Sequence, residues 1–567
     1  MMTAPPTPST LLTLQHLLEM VVEPEWFDAT KEKLSAAAVL TGLLDFGLFA
    51  DKMPPCFTSE GLAAIASVSM SAVLEETDDK KLASFLEKRD HDYIRYEALR
   101  DINVPRHLGI PHPEAYAVQS LAISRHWKEI ATHCNQPNPA VSRIHVRHTG
   151  SGSVFEMNYK GRERYQLEED EIRWMAGAQY VVHADVASCF PSIYTHSIPW
   201  ALHGKAAAKK SSNITALAGN LLDKCTQNTR DKQTNGLLIG PHSSNIIAEI
   251  ILTKIDVDLQ AKGHKKVARH IDDYAFYADD FAQAERFVKD LGMCLRGFEM
   301  SLNDKKTRIL QLPRPSTENW IQRLNRFVFP KDEEVRFSTV RSFLDLALEC
   351  AQAVGKSTPL NYAIKALTNT NGPRKLNERA RRLYVLEAMN LALAYPYLAP
   401  QLDKHVFDRY GHDDLALQVA EFSSALAKMG LRKLYPDAVA HALYYVLKHD
   451  VALSMDDAEL KEIVALDDCV TNVLLLEYAT RHKRAKVVSA IKLRANEIKA
   501  ADSREKDKNW LLIYQLWSVK DLKGNGQAFL AELKGKDFKF LVLPEIPKTP
   551  VAEDAICAGT PLSSTTP

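Results

Sequence analysis

Two short β-prone runs in this chain each deliver carboxylates at one end, and any fold must bring those ends to a defined place. The first is Tyr180-Val181-Val182-His183-Ala184-Asp185, an apolar run that closes on a lone acid and is followed by Phe190. The second runs from Val267 to Tyr277, with the adjacent acids Asp272 and Asp273 between β-prone residues, the form of a tight hairpin with an acid pair at its turn. A buried strand ending in a carboxylate holds that group rigidly, as a metal ligand requires. An aspartate there equally reads as the N-cap of a following helix. Adjacent acids repel when both ionise, so the pair is favourable only if a cation shares the charge or one acid points into solvent. Singly, each reading stays open.

Together the runs fit one chemistry. Nucleotidyl transfer uses two divalent cations roughly 4 Å apart, one activating the attacking hydroxyl and one neutralising the leaving pyrophosphate. Magnesium takes a few carboxylates plus phosphate oxygens, which three aspartates and a triphosphate provide; manganese is the alternative. The expected metal-holding set is Asp185, Val186, Asp272 and Asp273, with the three aspartates catalytic. Tyr277-Ala278-Asp279-Asp280 offers a competing acid pair, but the residues after it read as a helix, so Asp279 and Asp280 are expected in its first turn and cap. Between the runs, Gly236 and Gly240 permit close backbone approach in a loop followed by an apolar helix. Downstream, Asn303 to Arg308 places Lys306 where a triphosphate could be gripped, or simply on a solvated face.

Bulk properties narrow the setting. Of 567 residues, lysine plus arginine (71) equals aspartate plus glutamate (71), so a nucleic-acid partner must be met by a local channel and not by a global field. The eight cysteines form no CxxC pair, which argues against zinc and disulfide frameworks and for a reducing cytoplasm. No basic-then-apolar leader is evident, and no window approaches about 18 apolar residues, so no membrane association is expected. Residues 1–100 read as a helical N-terminal region. Residues 101–335 alternate strand and helix signals. Residues 336–543 are amphipathic segments of helical period, among them Val340–Ala353, Glu378–Ala394, Asp414–Met429 and Asp437–Lys448. Their spacing suggests stacked helix pairs of HEAT-like type. The proline- and threonine-rich stretch 544–567 reads as a disordered tail.

The ordered strings resemble the reverse transcriptase family. Asp185 with Phe190 looks like its motif A, Gly236 to Glu249 like motif B, His270-Ile271-Asp272-Asp273 like motif C, and Lys306 sits in a motif D context. Met53-Pro54-Pro55-Cys56-Phe57, Arg106 to Tyr116, Phe190 to Lys205 and Gly240-Pro241 further resemble bacterial abortive-infection and defence-associated reverse transcriptases. The resemblance implies an α+β fingers-palm (right-hand polymerase) followed by an all-α HEAT-like helical-repeat domain in place of a thumb. It implies an RNA-directed DNA polymerase acting in antiphage defence in the bacterial cytoplasm, with dNTPs, a DNA product and a homo- or hetero-oligomer. A second reverse transcriptase subunit and protein or non-templated priming belong to the same expectation. One alternative copies a dedicated non-coding RNA; another, of a different class, is a helical-repeat scaffold with a vestigial polymerase. Nucleotide binding is expected at Phe190, as a ring against the sugar 2′ position or as a core residue, and at Gly240, Lys306 and Arg106, with Arg147, Arg162 and Arg164 as weaker candidates. Nucleic-acid contacts are expected at Arg381, Arg382, Arg481 and Arg484, interleaved with Tyr384, Tyr444 and Tyr445. Two departures stand out: His270 replaces the usual tyrosine of motif C, and Ile239-Gly240 replaces the usual Gln-Gly of motif B.

Overall fold

The computed structural model of the chain describes residues 35–544, apart from 102–103, 136–142, 150–151, 159–169, 316–317, 330–333 and 370–371. The tail expected from 544 onward falls almost wholly outside the described residues, as do Arg162 and Arg164 and the side chain of Arg147. Among the described residues no helix is long and apolar enough to cross a membrane.

Helix α1 (Ala36–Phe46) starts on Ser35, whose side chain accepts from the Ala38 amide. After further short helices the chain enters an antiparallel hairpin, β1 (Tyr93–Asp101) and β2 (Val104–Pro111). The helical stretch expected to residue 100 therefore ends early. Ile94, Tyr96 and Ala98 are buried while Arg95 and Glu97 are exposed, the period of two that marks a half-buried strand. Helix α2 (Pro113–Arg125) follows, with proline in its first turn and almost every residue from Pro113 to Ser124 buried.

A four-stranded antiparallel sheet forms the centre of the chain. Its strands are β3 (Tyr180–Asp185), β4 (Val267–His270), β5 (Asp273–Ala278) and β6 (Arg308–Gln311), in the order β4-β5-β3-β6. Helix α3 (His242–Ala261) lies between β3 and β4 in sequence and is buried along most of its length. Helix α4 (Phe281–Gly297) turns Ala284, Phe287, Leu291, Cys294 and Leu295 inward at helical spacing. Phe287 stacks on Phe276 of β5 with ring centroids 4.4 Å apart, which fixes the helix against the sheet.

The C-terminal region is helical. Its main helices are α5 (Phe337–Val354), α6 (Thr358–Ala366), α7 (Glu378–Ala394), α8 (Leu415–Lys433), α9 (Pro436–Lys448), α10 (Cys469–Arg481), α11 (Ala485–Ala500) and α12 (Ser503–Lys508). It docks on the N-terminal half through buried polar bonds. Asp437 of α9 accepts from the Tyr96 hydroxyl at 2.5 Å and from the Leu99 amide at 3.0 Å, both on β1. Near the end of the described chain, the Thr58 amide donates to the Phe540 carbonyl at 2.9 Å, and the Val542 amide to that of Cys56 at 2.8 Å.

Candidate active site

Strands β3 and β5 run antiparallel with Asp185 directly opposite Asp273, while Asp272 occupies the turn between β4 and β5. The three aspartates thus meet at one end of the sheet. The turn is tight: Ile271 holds φ +54°, a left-handed conformation costly for a β-branched residue. What imposes it lies beneath. The fully buried Arg269 donates from Nη1 to the Ile271 carbonyl at 2.9 Å, clasps Glu249 of α3 at 2.8 and 3.0 Å, and donates from Nε to Asp256 at 2.7 Å. Tyr274 completes the network by donating to Asp256 at 3.1 Å. Burial pushes the Asp256 carboxyl up to about 7, opposed by the Arg269 guanidinium and reinforced by Glu249. One guanidinium faces two carboxylates, so a proton shared on the acid side lowers the net buried charge. Sequence reasoning missed Arg269, Glu249 and Asp256. The signal was there: two acids on one nearly apolar helix and an arginine inside an apolar strand have to be partners if all are buried.

The side chains above this platform form an acidic cluster with little compensation. Burial opposes ionisation of Asp185, but Lys306 Nζ and Asn303 Nδ2, each donating at 2.8 Å, hold its carboxyl below the ordinary range. The Asn303 amide also donates to the Asp185 carbonyl at 2.8 Å, locking the following loop onto the strand end. Asp272 is raised, first by burial and then by the Asp185 charge. Asp273 stays open to solvent on one side, yet partial burial, followed by Asp272 and Asp185, raises it to about 6. Asp185 is not the N-cap of the following helix; that position belongs to Ser188. Three carboxylates with all-oxygen ligands, mutually repelling and two of them raised, are a donor set that suits hard divalent cations such as magnesium or manganese.

The loop between the strands is fastened to the same place. The Gly236 amide donates to the Ile193 carbonyl at 2.6 Å and the Leu237 amide to that of Phe190 at 2.8 Å. Half-buried Phe190 thus packs on the core where the segment after Asp185 meets this loop. Gly240 has φ +128°, and a Cβ there would lie 3.2 Å from that of Ala50. Arg106, on β2 opposite Ala98, is lowered first by burial and then by Arg100, and is drawn up by Asp272, which places its guanidinium within the field of the acid cluster. Asp279 pairs with Lys266 at 2.6 Å on the surface, and Asp280 caps α4 by accepting from the Gln283 amide at 2.7 Å.

The basic clusters expected to bind nucleic acid are largely spent on neighbours. Arg382 pairs with Asp414, Arg481 with Glu477 at 2.8 Å, and Arg484 with Asp457 at 3.4 Å, while Arg381 is half-buried. Tyr384, Tyr444 and Tyr445 are core residues with relative exposures of 0%, 2% and 0%, so they offer no face for base stacking. Helical spacing brought arginine and tyrosine together in sequence, but the rings point inward and the charges outward.

A second cluster lies elsewhere. His91, His112 and Asp507 are, among the described residues, the one group of three such side chains whose potential ligand atoms all lie within 4.8 Å of one another. The geometry is that of a hydrogen-bonded clamp. His91 bridges Asp507 and Glu114, each at 3.2 Å, while His112 meets Gln527 at 2.8 Å and accepts from the Glu114 amide at 3.2 Å. The two imidazoles stack with centroids 3.8 Å apart and planes 10° from parallel, so their in-plane lone pairs do not converge on a shared ion. Burial works against charge on His91, but hydrogen bonds to Asp507 and Glu114 raise it to about 9. His112 falls to about 4 through burial and the His91 charge. This clamp joins the N-terminal half to α12.

Residues 123–342 match the family described as reverse transcriptase (RNA-dependent DNA polymerase). Among curated proteins, none matches. Among solved structures, apo telomerase from Candida Tropicalis is similar at 10% identity, with a TM-score of 0.27 over 69% of this chain and 72% of that one, an overlap too loose to bear on function. The chain carries a reverse transcriptase domain, and the activity of such a domain is RNA-directed DNA polymerisation.

Proposed function

We propose that this chain extends a DNA strand from dNTPs by two-metal nucleotidyl transfer at Asp185, Asp272 and Asp273. The observation that carries the reading is the pairing of Asp185 opposite Asp273, with Asp272 in a turn braced by Arg269. When bound, magnesium would supply Lewis acidity at the attacking hydroxyl and the leaving pyrophosphate, held by these aspartates and the backbone at Val186. Lys306 is anchored to Asp185, and it would move a proton toward pyrophosphate or grip it electrostatically. The Phe190 ring would crowd a 2′-hydroxyl, and Gly240 would let the backbone approach the incoming nucleotide.

The finer reading is a defence-associated enzyme, supported by the strings around Met53, Arg106, Phe190 and Gly240. Helices α8, α9, α10 and α11, each packed against the one named before it, support a HEAT-like C-terminal array that takes the place of a thumb. Purified full-length protein, incubated with magnesium and labelled dNTPs and then deproteinised, tests the reading. Incorporated label is expected, and sequencing the product identifies its template and primer, including any link to a protein hydroxyl or a copurifying RNA. No incorporation with any primer or template would contradict it.

A further inference from the structure

The loop that carries Gly236 is entered through a turn that its own side chains do not favour. After the helix Ala218–Asn228 the chain reverses over Arg230-Asp231-Lys232-Gln233, closed by the Gln233 amide on the Arg230 carbonyl at 3.0 Å. Asp231 holds φ +53° and Lys232 φ +58°. Positive φ at both central residues is the type I′ form, which glycine, asparagine and aspartate supply and lysine does not. Such a conformation persists where the surroundings over-determine it.

What over-determines it comes from two distant parts of the chain. The Asp231 amide donates to the His91 carbonyl at 2.8 Å, and the His91 amide donates to the Asn228 carbonyl at 3.0 Å. The Asp231 carboxylate pairs with Arg504 of α12, and Lys232 reaches Asp90 at 3.3 Å. Arg504 also donates to the Asp90 carboxylate at 2.7 Å and to its carbonyl at 3.3 Å. Lys232, Asp90, Arg504 and Asp231 thus form one chain of ion pairs whose two ends are the two left-handed residues. Isolated surface pairs contribute little, but a network on a fixed frame holds geometry. The frame here is fixed, since Asp507 of α12 accepts from the Asp92 amide at 3.1 Å and meets His91 at 3.2 Å. Burial opposes ionisation of Asp90, yet Arg504 and Lys232 hold its carboxyl below the ordinary range.

The turn has no slack toward the site. The Thr234 carbonyl accepts from the Thr195 amide at 2.8 Å, and Asn235 pairs with Tyr194 in an antiparallel bridge. The Arg230 guanidinium donates to the Asn235 carbonyl. Gly236, at φ +90°, lies so close to the Phe190 segment that a Cβ would fall 2.8 Å from the Pro191 carbonyl oxygen. A shift at Asp231 and Lys232 is therefore passed to Phe190 through backbone bonds.

We propose that Arg504, reaching from the helical region to Asp231 and Asp90, is a positioning residue for nucleotide incorporation. It holds the strained turn that sets the Gly236 loop against the Phe190 segment, and so makes the site depend on the docking of α12. The proposal rests on the polymerase reading of the three aspartates.

The test uses the full chain, with dNTP incorporation in magnesium beside limited trypsin digestion, which cuts after Arg230 once the turn opens. Arg504→Gln is expected to lower kcat/KM about tenfold or more through misplacement of the loop. Cleavage after Arg230 should speed up by about the same factor, as the open form becomes more populated. Adding Asp231→Asn and Lys232→Gly to Arg504→Gln supplies a residue pair that adopts the turn unaided, and should restore both readouts to within about threefold of wild type. Lys499→Gln, which breaks a pair with Asp521 elsewhere in the helical region, should change neither. Wild-type kcat/KM and cleavage in Arg504→Gln would overturn the proposal. So would a loss of incorporation that the turn substitutions fail to restore, since Arg504 would then only join two parts of the chain. Cleavage needs no catalysis, so a wild type that incorporates nothing, while Arg504→Gln opens the turn and the added pair closes it, would sink the polymerase reading alone.

Discussion

Replacing Arg269 separates what holds the site from what acts in it. Its side chain is fully buried and satisfies Glu249, Asp256 and the Ile271 carbonyl at once. Arg269→Met leaves two carboxylates in the interior with no cation. Breaking one side of a buried ion pair costs about 3 to 5 kcal/mol. For a unit of 150–250 residues each kcal/mol moves Tm by about 2–4 °C, so a drop on the order of 10 °C is expected by calorimetry. The triple variant Arg269→Met, Glu249→Gln, Asp256→Asn removes the stranded charges and should recover most of the lost Tm. It should not recover nucleotide incorporation, because the Ile271 carbonyl loses its bond from Arg269 and the Asp272-Asp273 turn loses that brace. A single variant with wild-type Tm would refute the energetic argument, and a triple variant with full kcat would refute the positioning argument.

Three other outcomes follow. Because the folded-state value of His91, about 9, lies above the ordinary 6.5, its contribution to stability is complete below about pH 6.5 and is lost as pH rises toward 9; His91→Gln should flatten the Tm decline across that window. Asp280→Ala removes the N-cap of α4, costing about 1 kcal/mol in denaturant unfolding and leaving incorporation unchanged. Lys306→Ala should lower kcat more than it raises KM if the ammonium acts in the transition state, whereas a pure KM effect would restrict it to ground-state binding.

The acid-bearing strands were legible because alternation, a turn and a charge pair coincide within a few residues. Helix α7 spans Glu378–Ala394, the span that its periodicity predicts, with Asn377 capping it through the Ala380 amide. The opening of β1 at Tyr93 was missed although Ile94, Tyr96 and Ala98 alternate with Arg95 and Glu97 at the strand period, and the apolar face so formed finds its cover in α9. Sequence neighbours misled at Tyr384, which helical spacing turns into the core while Arg382 stays at the surface. The Arg269 network joins β4 to two acids on α3, and it exists only after that helix is packed beneath the sheet.

The central claim is that Asp272 and Asp273, and not the nearby Asp279 and Asp280, serve the chemistry. The direct measurement compares magnesium-dependent dNTP incorporation by wild type, Asp272→Ala/Asp273→Ala and Asp279→Ala/Asp280→Ala, all shown to be folded by circular dichroism. The first variant should lose incorporation, since it removes two of the three metal-holding acids, while the second should keep it within a few-fold. Incorporation at the wild-type rate by Asp272→Ala/Asp273→Ala, or its loss in Asp279→Ala/Asp280→Ala alone, would contradict the assignment.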